Sequence, residues 1–250
     1  MKNIEKYQLL KHPPIVVSLF QIRFNENIDL EKLVSIESRI KDYLPQRKDH
    51  IHTDINVGSI AMGITSISGK SDSKIVGYDY FSEDDKKIIS INEKTFSYQN
   101  METYNGWSQF TEEIIKFLKL ISDIFEANKI ERLSIRFINN ILIDNFVNPL
   151  EYFKTLISST EDNFSPYDVV KYGFKIVYKI PDSNIHAIVN QTPEYTIDKK
   201  CNYIFDIDVL DNSLMSFDIA EIMNTINRLR EIKNNIFFSN LTPKTIELCN

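Results

Sequence analysis

The strongest constraint on how this 250-residue chain can fold is that one stretch of it occurs twice. Ile22-Arg23-Phe24-Asn25-Glu26-Asn27-Ile28 and Ile135-Arg136-Phe137-Ile138-Asn139-Asn140-Ile141 agree at five of seven positions, 113 residues apart. The same spacing carries Asp85-Lys86-Lys87 onto Asp198-Lys199-Lys200, and Phe125 onto Phe238. Each copy follows one order of elements: a strand, a helix, a run of antiparallel strands, a helix. Neither half alone buries both its helices and a sheet face, whereas two halves about an approximate two-fold axis do. The sequence therefore predicts an α+β fold of two pseudo-repeated halves, residues 1–129 and 130–250, in one compact unit. The helices are expected on one face of a curved antiparallel sheet.

The elements themselves follow from local pattern. Pro14 to Phe24 is β-branched and aromatic and reads as a strand, with Val17, Leu19, Gln21 and Arg23 on one face and Ser18, Phe20, Ile22 and Phe24 on the other. Asp29 is placed to cap a helix with apolar positions Leu30, Leu33, Ile36, Ile40, Tyr43 and Leu44, ending at Pro45. Short strand-like runs follow, punctuated by Gly58, Gly63, Gly69 and Gly77; among them are Ile75–Phe81, Lys87–Glu93 and Phe96–Tyr98. A helix capped by Ser108 carries Phe110, Ile114, Phe117, Leu118, Ile121 and Phe125 at helical spacing, which predicts core packing. Ile130–Ile143 is a second long strand, and Asn148 followed by Pro149 opens another helix. Strands at Val169–Ile180, Ile185–Gln191 and Asn202–Leu210 and a final helix through Phe217, Ile222, Ile226 and Leu229 complete the pattern.

Composition excludes several classes of function. The chain has 29 basic and 35 acidic residues, and its densest basic groups, around Arg47-Lys48 and Lys86-Lys87, are diluted by acids. Sequence-independent nucleic-acid binding, which needs clustered cations to displace counterions, is disfavoured. Six glycines and no phosphate-cradling motif argue against ATP or dinucleotide use, so no cofactor is called for. Cys201 and Cys249 have no CxxC partner, and no apolar run approaches a membrane span. The N-terminus lacks an apolar signal segment, so the expectation is a cytoplasmic protein with no membrane contact.

Few constellations bear chemistry. Asp206 and Asp208 alternate onto one strand face, where two carboxylates could hold a divalent metal, although no third ligand is identifiable; a polar strand face is the blander reading. His50-Ile51-His52 with Asp54 has alternate spacing too, but is a weak motif without a third zinc ligand. Arg23 and Arg136, the repeat-related pair, lie mid-strand opposite the apolar residues beside them. They are placed either to grip a small anion or a partner's carboxylates, or to form internal salt bridges with acids such as Glu131 or Asp208. Asn139 and Asn140 would extend that polar face or pair with backbone. Trp107, the single tryptophan, is either an anchor for the helix it begins or an exposed contact at an interface. No catalytic residue is identified.

Several blocks together resemble a sporadically distributed, uncharacterised prokaryotic protein family of about this length. They are His12-Pro13-Pro14 through Phe20-Gln21-Ile22-Arg23-Phe24, then Gly77-Tyr78-Asp79-Tyr80-Phe81-Ser82-Glu83-Asp84-Asp85, Tyr104-Asn105-Gly106-Trp107-Ser108-Gln109-Phe110, Arg136-Phe137-Ile138-Asn139, and Phe237-Phe238 with Leu241-Thr242. An extra residue near Tyr80-Phe81-Ser82 departs from the family pattern. The resemblance brings no activity, substrate or catalytic residue; its patchy distribution implies a mobile or defence-associated locus. Taken together, the expectation is a non-catalytic interaction or sensor protein that acts with a neighbouring effector and binds another protein. The alternatives are a metal-dependent nuclease or phosphoesterase using Asp206 and Asp208, and a specific nucleic-acid or nucleotide-binding module using the arginine-bearing face.

Overall fold

In a computed structural model of the chain, the structure describes residues 10–56, 70–125, 127–144, 146, 148–154, 173–195 and 200–250. The first half runs β1 (Ile15–Phe24), α1 (Leu30–Val34), α2 (Glu37–Ile40), β2 (Gln46–Asn56), β3 (Lys70–Phe81), β4 (Lys87–Asn92), β5 (Thr95–Asn100) and α3 (Trp107–Phe125). The second runs β6 (Lys129–Ile143), a 3-10 turn at Pro149–Glu151, β7 (Phe174–Lys179), β8 (Ile185–Tyr195), β9 (Cys201–Asp211), β10 (Met215–Ser216), α4 (Ile219–Asn240) and α5 (Pro243–Leu248). The ten strands form one curved antiparallel sheet in the order β2-β3-β4-β5-β1-β6-β9-β8-β7, with β10 beside β6. The molecule is therefore α+β.

Because side chains alternate along a strand, each strand offers one set of residues to each face. On the first face lie Phe20, Ile22 and Phe24 of β1, Phe96 and Tyr98 of β5, Leu133, Ile135 and Phe137 of β6, and Tyr203, Phe205, Ile207 and Val209 of β9, all buried. Phe24 stacks on Phe125 at 4.7 Å, Tyr98 lies 5.1 Å from Phe117, and Phe137 meets Phe110 edge-on. Phe205 stacks on Phe237 at 5.7 Å. These contacts pack Phe110, Phe117 and Phe125 of α3 and Phe237 of α4 against first-face side chains, and burial of this layer is the main source of stability.

Three predicted helices take different forms. The segment after Asp29 is two short helices rather than one. Asp29 accepts from the Glu31 amide, but at Ser35 and Ile36 the amides bond i−3 carbonyls, Lys32 and Leu33, and the ladder is interrupted there. The helix placed after Ser108 begins at Trp107, and Ser108 Oγ donates to Glu112 instead of capping. Asn148 does accept from the Leu150 amide, yet only one 3-10 turn follows within the described residues. Gly58, Gly63 and Gly69, the first residues of the strand predicted from Val169, and Asp198-Lys199 lie outside the described residues.

Candidate functional site

The second face of the sheet mixes polar side chains with apolar ones such as Leu19, Ile138, Ile188 and Leu210. Register carries one row of side chains across nine strands: Lys48, Asp79, Ser90, Ser97, Gln21, Ser134, Leu210, His186 and Lys179. The next row contains Gln99, Leu19, Arg136, Asp208 and Ile188. An antiparallel sheet with one face on the core commonly turns polar side chains to the other, and this row follows that alternation.

Its charges divide into paired and unpaired sets. Asp206 is buried and receives Arg136 bidentately, Nε to Oδ1 at 2.8 Å and Nη2 to Oδ2 at 2.7 Å; Asn190 Nδ2 adds a third bond at 3.0 Å. This is the planar fork geometry that arginine offers a carboxylate. Arg23 Nε meets Glu131 at 2.5 Å. By contrast, Arg132 Nη2 donates to Gln21 Oε1 at 2.6 Å while its Nε–H, shut off from water, has no acceptor. Asp208 Oδ1 is likewise buried with no donor. Burial pushes the Asp208 carboxyl up to about 6, against the pull of Arg136 and Arg132.

These two atoms are not isolated cases. Among the described residues, Asp79 Oδ1, Arg132 Nε, Asn140 Oδ1, His186 Nδ1 and Asp208 Oδ1 are buried and without a hydrogen-bond partner, and all alternate onto the second face. Orphaned buried polar atoms are costly, and folded proteins keep them few. Three more such atoms lie away from this face, Tyr80 Oη, Gln191 Nε2 and Asn240 Oδ1, while Glu113 accepts from Lys87 Nζ at 2.7 Å, from Asn100 Nδ2 at 3.1 Å and from the Tyr98 hydroxyl.

Arg23, Arg136, Asn140, Asp206 and Asp208 thus lie on one face, brought there by β1, β6 and β9. Arg23 faces Arg132 across the strands, and Arg136 faces Leu19 on one side and Asp208 on the other. Asn139 is on the first face, buried, and donates to the Phe205 carbonyl at 2.8 Å. Trp107 is also away from the second face: its indole N–H donates to Asn227 Oδ1 at 2.8 Å, and its ring packs on Phe110 and Phe137. His50 pairs with Asp79 through Oδ2. Asp206 has its oxygens engaged by Arg136 and Asn190, and no group of three or more His, Cys, Asp or Glu is arranged to hold a metal among the described residues.

Gln21, Arg132, Ser134 and Asn190 were not singled out by sequence, although Arg132 and Ser134 share the parity of Arg136 along β6. Lys233 was also missed. It is buried at i+4 from Leu229 in the apolar stripe of α4, with its ammonium 4.5 Å from the Phe137 ring, and burial pushes it down to about 7. The signal was there: a lysine at a stripe position. No helix among the described residues is long and apolar enough to cross a membrane. No protein-family model matches the chain, and no curated protein matches it.

Proposed function

We propose that the chain is a non-catalytic binding protein whose second sheet face receives another protein. The observation that carries this reading is that five of the eight buried polar atoms without a partner among the described residues lie on that face, where a partner would satisfy them. A face meant only for water would not strand a carboxylate oxygen and a guanidinium N–H away from it. The catalytic alternative gains nothing comparable, since Asp206 is held by Arg136 and Asn190.

The two halves are read as copies of one unit, a reading supported by the strand order. On one side of the centre the sheet runs β1-β5-β4-β3, on the other β6-β9-β8-β7, and a long helix follows each set. The helices would then gather on the first face and leave the second free for the partner. We also take the chain to belong with the sporadically distributed family its blocks resemble, whose distribution suggests a neighbouring effector as the partner.

The test is native mass spectrometry of the protein purified gently from its host with its neighbouring genes intact. A stoichiometric protein partner is the expected result. A bare monomer or homodimer overturns the reading.

A further inference from the structure

The central row of the second face ends differently on its two sides, and the difference is informative if the binding role and the two-copy reading proposed above hold. Outward from Gln21 the row runs Ser97, Ser90, Asp79, Lys48, and it closes at β2 on an opposite-charge pair, Lys48 facing Asp79. Outward from Ser134, which faces Gln21 across the join, it runs Leu210, His186, Lys179 and stops. Lys179 thus holds the place of Asp79 with the charge reversed. Among the described residues, no strand stands beyond β7 as β2 stands beyond β3.

Lys175, Val177 and Lys179 alternate onto the second face and are exposed, and neither lysine has an ion-pair partner among the described residues. Every other residue of an edge strand turns its N–H and C=O outward, the groups that an added strand takes up. A second copy is a poor occupant. Two β7 strands paired antiparallel about Val177 would set Lys175 against Lys179 of the other copy, and like charges directly opposite repel. An acidic strand turns the same charges into attraction. We propose that the outer edge of β7 receives an extended segment of a partner protein as a further strand, with acidic residues opposite Lys175 and Lys179 and an apolar residue opposite Val177. The pattern acid-x-apolar-x-acid reads the same in both chain directions. Backbone hydrogen bonds supply the affinity, and the two charge pairs supply the choice of partner.

The probe is a phage-displayed library of random short peptides selected against the full chain, with enriched peptides measured by fluorescence anisotropy. Binding is compared on wild type and on the double variant Lys175→Glu with Lys179→Glu, checked for an unchanged circular dichroism spectrum. The expected result is enrichment of acid-x-apolar-x-acid peptides whose affinity falls about tenfold or more on the double variant. Replacing the two acids of such a peptide by lysine should reverse the preference. N-methylating alternate backbone amides should abolish binding for one of the two possible sets, since only one set faces β7. No enrichment, enriched peptides without that acidic spacing, or peptides that tolerate N-methylation of both sets overturn the proposal. A homodimer that the double variant dissociates also overturns it, because the occupant is then a second copy. A stoichiometric host partner whose binding ignores Lys175 and Lys179 leaves the interaction role standing while removing this edge from it.

Discussion

Gln21 and Ser134 face each other across β1 and β6, and they are 113 residues apart, the spacing at which Ile22-Arg23-Phe24 recurs as Ile135-Arg136-Phe137. The sequence repeat and the strand register thus share one centre. The agreement continues outward: Ile22 faces Phe96 on β5, and Ile135 faces Val209 on β9, with Phe96 and Val209 again 113 apart. Arg23 and Arg136 sit two positions from the centre on opposite sides, which is why both fall on the second face. The coincidence supports the two-copy reading.

Removing Arg136 should cost more than removing its partner. Arg136→Ala leaves the buried Asp206 carboxylate with Asn190 alone, a loss of about 1–3 kcal/mol after allowing for the exposure of the arginine. Asp206→Ala frees an arginine that can turn toward water and should cost less. Urea unfolding of both single variants and the double variant gives the coupling, and equal costs would contradict the asymmetry.

Asp208 should make stability fall as pH rises. Its native carboxyl titrates at about 6 against an ordinary 3.8, so the folded state holds the proton more tightly between those values. Stability from this group is full below 3.8 and is lost as pH climbs through about 6. Asp208→Asn should gain about 1–2 kcal/mol at mildly alkaline pH and flatten that window in pH-dependent denaturation.

Lys233 has the opposite slope. With a native value of about 7 against 10.5, the unfolded chain binds the proton more tightly, and stability rises with pH across that interval. Arg230 nearby and the Phe137 ring beneath it give the ammonium no counter-charge. Lys233→Met should gain about 1–3 kcal/mol at neutral pH, with the difference from wild type shrinking as pH approaches the lysine's ordinary value.

Gly77 should tolerate no side chain. A Cβ there would lie 2.3 Å from the Ile91 carbonyl oxygen and 2.6 Å from Asn92 Cβ, at the place where the β2–β3 register shifts beside His50. Gly77→Ala should cost about 1–3 kcal/mol in thermal unfolding. An unchanged midpoint would mean that the strands separate there at little expense.

How much of this was legible in the sequence depends on how strongly each segment repeats its pattern. β1, β6 and α3 carry long apolar alternations or stripes, and their partners on the first face follow. β2 does not: Gln46-Arg47-Lys48-Asp49-His50 is an edge strand whose polarity hides its period, and only its pairing with β3 defines it. Asp206 and Asp208 were correctly placed on one face by parity, but which arginine each would meet depends on register, a non-local property. Asp85-Lys86-Lys87 falls where the β3–β4 turn enters β4, while Asp198 and Lys199 of its match lie outside the described residues.

The seating of Trp107 between α3 and α4 has a practical consequence. As the chain's single tryptophan, it is the sole source of indole fluorescence, and that emission originates in the helical layer, on the side of the sheet away from Arg132 and Asp208. Its spectrum will register separation of the two helices while staying blind to an occupant of the opposite face. Indole emission therefore follows folding alone, undisturbed by whatever binds on the other side.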